Sequence, residues 1–226
     1  MIVRLHKLAA RCPRMTDIQA VAELWRISKR KDMNLVVMTE EDVQRRWQRN
    51  GFYLAQDAWV IVTTQGCVVA YADVQREEEQ AGLMFALMVH PAYRGRGIGT
   101  LLLRMVEQRA RELTYGSSTG EQVALCIAVH SQNRLAKQLL EREGYTASEH
   151  FWRVSLERDD VLLQSLQEPE QEGSLTMDLY VDASQAPASR VIAGRADSHV
   201  AQQYEVYQRV LRPTMSRALL REEAVC

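Results

Sequence analysis

"VHPAYRGRGIGTLLLRMVEQRA", residues 89–110, decides the fold. An apolar run enters this stretch, Pro91 breaks it, Arg94 and Arg96 alternate with Gly95, Gly97 and Gly99, and an amphipathic segment leaves it. Ile98, Leu101, Leu102, Met105, Val106, Arg109 and Leu113 recur at helical spacing with one polar exception, so a helix begins at the last glycines. Its first turn leaves backbone N–H groups unpaired and carries a partial positive charge, which favours phosphate or diphosphate. Glycine removes the β-carbons that would block the approach, and the two arginines add charge. A plain turn that uses glycine for tight packing is the competing reading.

Spacing narrows the ligand. A P-loop needs G-x-x-x-x-G-K followed by Ser or Thr, and no lysine lies between Val89 and Arg134. A dinucleotide fingerprint needs G-x-G-x-x-G, but its third glycine falls on Thr100 or on Leu102 in the two possible registers. What stands is Arg94-x-x-Gly97-x-Gly99 after a buried strand.

The flanking sequence predicts an α/β protein. Ile2 to Leu8 reads as a strand, Thr16 with Gln19 as a capping box for a helix carrying Ile18, Val21, Ala22 and Trp25, and Thr39 as the cap of a second helix ending near Asn50-Gly51. Trp59 to Thr63 and Cys67 to Val74 form a hairpin, and Leu83 to His90 is a strand covered on both faces. After the glycine loop and its helix, a turn near Gly116 leads to a buried strand at Val123 to His130. A helix through Leu135, Ala136, Leu139 and Leu140 ends at Gly144, and Phe151 to Leu156 is a further strand. The strands at 83–90 and 123–130, joined by a helical crossover, should run parallel, which puts the glycine loop at the carboxyl end of a central strand, where such sheets bind ligands.

Composition agrees with one good core. The chain has 226 residues, 46% hydrophobic and 25% charged, and its 28 Lys and Arg against 29 Asp and Glu give a formal charge of -1. No global field draws it to nucleic acid or an anionic membrane, so any anion is held locally. The start interrupts its apolar residues with Arg4, His6 and Lys7, and no stretch is apolar enough to span a bilayer, so a cytoplasmic location is expected. Cys12, Cys67, Cys126 and Cys226 are far apart with no metal-ligand spacing, and no metal is expected.

The loop resembles the acetyl-CoA diphosphate loop of the GCN5-related N-acetyltransferase (GNAT) family, and a second motif follows in the family's order: Asn133, Ala136, Leu139 with Leu140, Gly144 and Tyr145. The resemblance covers about residues 2–157. It implies a mixed central sheet splayed between the strands 83–90 and 123–130, flanked by helices, with acetyl-CoA as co-substrate in the gap. By position, the backbone of Met88 and Val89 would pair with the pantetheine arm, Arg94, Gly95, Arg96, Gly97, Ile98, Gly99 and Thr100 would hold the diphosphate, and Asn133 would contact the arm. Arg134 and Lys137 could meet the 3′-phosphate or simply form a solvated helix face.

The activity implied is N-acetyl transfer to a primary amine of a small molecule or a protein. An alkylamine resembling lysine, pKa about 10.4, is protonated at neutral pH and needs a base. Candidates are Glu77, Glu78, Glu79, His90 and His130. Family members often carry a tyrosine where this chain has Leu140, and Tyr93, Ser131 or Tyr145 could replace it as proton donor; the catalytic set carried forward is Glu79, His130 and Tyr145. Leu140 also motivates a competing reading, a non-catalytic CoA-binding sensor or interaction module.

From Arg158 the sequence turns acidic and polar, which divides the chain into 1–157, the acetyl-CoA-binding body, 158–173, a linker, and 174–226, a C-terminal α+β extension. Ser174 to Asp182 alternates as a strand, Val200, Tyr204, Tyr207 and Leu211 fit a helix, and a short helix is expected from Thr214 to Glu223. So small a unit should pack on the body or on the mate of a homodimer.

Overall fold

The computed structural model describes residues 4–5, 7–32, 38–76, 82–114, 123–156, 177–182 and 200–211. Lys7, at φ 65°, turns the chain into a hairpin, so the single strand expected at 2–8 is two: β1 (Arg4–Leu5) and β2 (Leu8–Arg11). The helix α1 (Ile18–Asp32) follows a short 3-10 turn at Met15–Asp17. The carboxylate of Asp17 accepts the Arg14 N–H at 2.7 Å, so Asp17 supplies the reach-back contact that was expected of Gln19. The Thr39 cap of α2 (Glu40–Trp47) forms as expected, its hydroxyl accepting the Asp42 N–H at 3.1 Å. A four-residue helix, α3 (Leu54–Asp57), leads into the hairpin β3 (Ala58–Thr63) and β4 (Val68–Arg76).

The strand β5 (Gly82–Val89), the helix α4 (Ile98–Thr114), the strand β6 (Val123–His130) and the helix α5 (Arg134–Arg142) follow the expected crossover. Arg109, the polar residue on the apolar face of α4, is explained by Asp57: its Nε donates to the buried carboxylate at 2.8 Å and ties α4 to α3. The last strands are β7 (Thr146–Leu156), β8 (Met177–Asp182) and β9 (Val200–Leu211).

The nine strands among the described residues form one sheet in the order β1-β2-β3-β4-β5-β6-β9-β7-β8. The pair β5 and β6 is the only parallel one among the described residues, and its pairing covers just Gly82–Met84 against Ala124–Cys126. Beyond that point β6 turns to β9, which it pairs from Val123↔Leu211 to His130↔Tyr204, and the edge of β5 from Phe85 to Val89 parts from it. The sheet is therefore splayed at its centre.

Residues 200–211 correct the expected helix. Val200, Tyr204, Tyr207 and Leu211 do recur at helical spacing, but the segment is rich in valine and tyrosine and is paired along both edges, with β6 on one side and β7 on the other, so strand pairing overrides the local period. The sheet thus continues past residue 157. The expected linker at 158–173 and the helix at 214–223 lie outside the described residues.

Alternation along β4 divides the core. Ala70, Ala72 and Val74 face α4 with Leu83, Phe85, Leu102, Val106 and Leu125, while Tyr71 faces α1 and α2 with Val21, Leu24, Val43 and Trp47.

Candidate active site

The parted strands open a cleft of about 350 Å³ bounded by Leu87, Met88 and Val89 of β5, the loop and first turn of α4, one face of α5, and Ser28 of α1. It brings together Met88, Val89, Arg94, Gly95, Gly97, Ile98, Gly99, Thr100 and Asn133, nine of the ten residues expected to bind cofactor. Arg96 is the exception: its guanidinium lies over the Tyr93 ring, 4.9 Å from the centroid, and donates to Ala92 O at 3.3 Å.

The three glycines do different things. Gly95 and Gly97 are left-handed, at φ 76° and 77°, and a β-carbon on either would meet nothing within 4 Å. That is a strained conformation for other residues, beside open space. Gly99 is a packing glycine: a β-carbon there would stand 2.9 Å from Leu139 Cδ2. The Leu101 N–H donates to Gly97 O at 3.0 Å, so the amides of Ile98, Gly99 and Thr100 belong to the open first turn of a 17-residue helix. Arg94 braces the loop through its Nε, which donates to Val89 O at 3.1 Å.

The cleft wall from α5 follows from helical spacing, Leu135, Gln138, Leu139 and Arg142 sharing one face. Arg142 was not anticipated. It donates to Thr100 Oγ1 at 2.9 Å and so places a second guanidinium at the mouth of α4. Asn133 lines the cleft, and its Oδ1 also accepts the Ala136 N–H at 3.2 Å. The Asn-x-x-Ala spacing is thus a helix cap that fixes where α5 begins. Lys137 is paired with Glu205 of β9 and does not line the cleft.

The cleft does not gather the residues expected to move protons. Glu77, Glu78 and Glu79 lie outside the described residues. His130 is buried against Tyr204, ring centroids 5.5 Å apart, and its Nδ1 accepts the Gln132 N–H at 3.2 Å in the turn before α5. Tyr145 is buried beneath α4, where its hydroxyl donates to Glu107 at 3.3 Å. Burial, then the Glu107 carboxylate, holds its pKa well above the ordinary tyrosine value. Leu140 is in the core with Leu125 and Val129. Among the described residues the cleft lining carries two charged side chains, Arg94 and Arg142, both cationic.

Such a cleft can take a diphosphate at its cationic, glycine-lined end and an apolar, amide-bearing arm along β5. Comparison with known proteins agrees. The model of the acetyltransferase (GNAT) family matches residues 18–145. Among solved structures, a GCN5-related N-acetyltransferase from Sphaerobacter thermophilus is 18% identical, with 95% of this chain and 99% of that one covered at a TM-score of 0.76. YncA from Salmonella typhimurium, a putative acetyltransferase solved with acetyl-CoA, is 15% identical over 93% and 98% of the two chains at 0.56. A phosphinothricin acetyltransferase from Sinorhizobium meliloti, in complex with acetyl-CoA, is 15% identical over 93% and 95% at 0.53. No curated protein matches. The family match spans more than half of the chain, and the chain belongs to the GNAT family of acetyltransferases.

Proposed function

We propose that this acetyltransferase moves the acetyl group of acetyl-CoA, the family's co-substrate, to a primary amine of a small molecule or a protein. The observation that carries the reading is the pair of left-handed glycines with open space in front of the amino end of α4, at the point where β5 parts from β6. Gly95, Gly97 and the amides of Ile98, Gly99 and Thr100 would hold the diphosphate, with Arg94 and Arg142 adding charge. Met88 and Val89 would offer backbone groups to the arm, and Asn133 would close it in from α5. When bound, acetyl-CoA supplies an acetyl group activated as a thioester.

The chain's remaining task is to manage protons. We place the base at Glu79, in the connection between β4 and β5, since the acceptor amine must lose its proton before it can attack. His130 and Tyr145 do not line the cleft: His130 packs against Tyr204 and the Tyr145 hydroxyl donates to Glu107. Leu140 cannot donate a proton, and a thiol with a pKa near 8.5 can depart as thiolate. A homodimer would use β8, the edge strand that the C-terminal extension supplies. Among the described residues no helix is long and apolar enough to cross a membrane, and we place the protein in the cytoplasm.

Calorimetry with acetyl-CoA and desulfo-CoA tests the co-substrate site, and absence of binding by both at high micromolar concentration ends the proposal. Thioester consumption over a panel of small amines and peptides tests transfer: binding without turnover on any acceptor favours a CoA sensor instead.

A further inference from the structure

Two buried side-chain polar atoms have no hydrogen-bond partner among the described residues, Trp25 Nε1 and Ser28 Oγ. Both are on α1, three residues apart and so on neighbouring positions of one helical face. Elsewhere the buried polar groups are well served: Asp73 is held by Arg46 and Tyr71, Asp57 by Arg109, Glu107 by Arg209 and Tyr145. An unmet buried hydroxyl is costly, and a serine inside a helix ordinarily relieves that cost by turning to the carbonyl four residues back. Ser28 does not make that bond to Leu24 O. It is 1% exposed, and yet it lines the cleft together with Leu87, Met88, Val89 and Tyr93. Trp25 belongs to the core beneath α1 and does not line the cleft.

We propose that Ser28 is a binding residue for the co-substrate, its hydroxyl on α1 hydrogen-bonding the amide-bearing arm of acyl-CoA. The inference rests on the acetyl-CoA reading of the cleft. Its chemical basis is complementarity: the arm carries amide N–H and C=O groups that are stripped of water on entering a largely apolar cleft, and a serine hydroxyl can both donate and accept. The wall from α5 is apolar at Leu135, Ala136 and Leu139 and polar at Gln138 and Arg142, and Ser28 adds a hydroxyl from α1 beside Leu87, Met88 and Val89 of β5. No glycine or asparagine motif marks the residue.

A binding role and a structural role predict opposite changes for Ser28→Ala. If the hydroxyl serves the ligand, its removal relieves an unmet polar group and inserts a better helix former, so the ligand-free protein melts at the same or a higher temperature. Acetyl-CoA affinity, read by calorimetry, then falls roughly fivefold to tenfold, the loss of one hydrogen bond. ADP, which has the diphosphate and no arm, should bind wild type and variant within a factor of about two. Trp25→Phe removes the other unmet donor outside the cleft and should leave acetyl-CoA affinity unchanged. Unaltered acetyl-CoA affinity in Ser28→Ala overturns the inference, as does an equal loss for ADP or for Trp25→Phe, each with wild-type binding intact. If wild type binds no acetyl-CoA, the reading of the cleft itself fails.

Discussion

Gly99 of α4 and Leu139 of α5 are in close contact: a β-carbon at residue 99 would lie 2.9 Å from Leu139 Cδ2. This contact joins the two motifs that lie far apart in the sequence, and it sets the width of the cleft that both residues line.

Gly99→Ala should therefore alter binding more than stability. Alanine gains about 1 kcal/mol over glycine in a helix, while overpacking costs about 1–3 kcal/mol in a rigid core. The atom in the way is the end of a leucine side chain, which can swing aside, so the two effects nearly offset. Leu139 lines the cleft, so moving it would alter the cleft wall. The expected outcome is a melting temperature close to wild type with acetyl-CoA affinity lowered roughly tenfold. A clear loss of stability with unchanged affinity would show that the contact is structural only.

Gly97→Val works by another route. Nothing stands within 4 Å of the added β-carbon, so the cost comes from φ 77°, about 1–2 kcal/mol for a residue with a β-carbon. The branched side chain would then stand where the anion should lie. Far-ultraviolet dichroism should remain native while acetyl-CoA affinity falls on the order of a hundredfold. A folded variant that binds as wild type does would show that the loop is not the anion site.

The ion pair of partly buried Arg46 with fully buried Asp73 fixes α2 to the sheet. The guanidinium forks onto the carboxylate at 2.6 and 2.7 Å, and Tyr71 donates to the same group while accepting from Trp47 Nε1 at 2.9 Å. Burial, then the neighbouring Asp73, raises the Tyr71 pKa well above its ordinary value, so the phenol remains a donor. Asp73→Ala strands both partners and should cost about 3–5 kcal/mol in urea unfolding. A loss below about 1 kcal/mol would mean that water reaches the network.

The sequence made the centre of the molecule legible and its last third much less so. The span of β6 is read to the residue because an apolar run of that length admits no other register, and the Thr39 cap because three polar positions specify it. The cleft was found through glycines whose spacing only a close approach explains. Arg142 and Ser28 were missed: each is one polar residue on a helix face, and only the fold places them against the cleft. β9 was misread since its apolar residues fit a helix, and nothing local to them reveals that β6 and β7 wait on either side.

Acid should weaken the junction between β2 and α1 in a defined direction. Asp17 accepts two hydrogen bonds from Arg11, at 2.7 and 2.8 Å, and one from the Arg14 N–H. The Arg11 hydrogen bonds, above all, hold its pKa below the ordinary carboxylate value. A depressed folded pKa contributes stability that is present above the unfolded value of about 3.9 and is lost as pH falls through the folded one. Asp17→Asn should thus be less stable than wild type at neutral pH, with the gap closing below about pH 4. A constant gap across that range would exclude the pair as the cause.

The strand β9 makes the C-terminal residues part of the sheet that forms the cleft. It pairs with β6 along eight positions, from Val123 to His130, and with β7 from Thr146 to Ser155. Arg209 then reaches Glu107 of α4 at 2.8 Å and Glu143 O, just after α5, at 2.8 Å, which ties the strand to both helices of the cleft. Tyr204, Tyr207 and Leu211 are buried. At about 1.5–3 kcal/mol for each large apolar side chain, their loss rivals the ~5–15 kcal/mol that holds a typical domain together. It would also leave β6 and β7 as open edges, which invite aggregation. A chain ending at residue 157 should consequently be insoluble or unfold without a cooperative transition. A soluble 1–157 fragment that melts cooperatively and binds acetyl-CoA would instead show that β6 and β7 can close on each other without it.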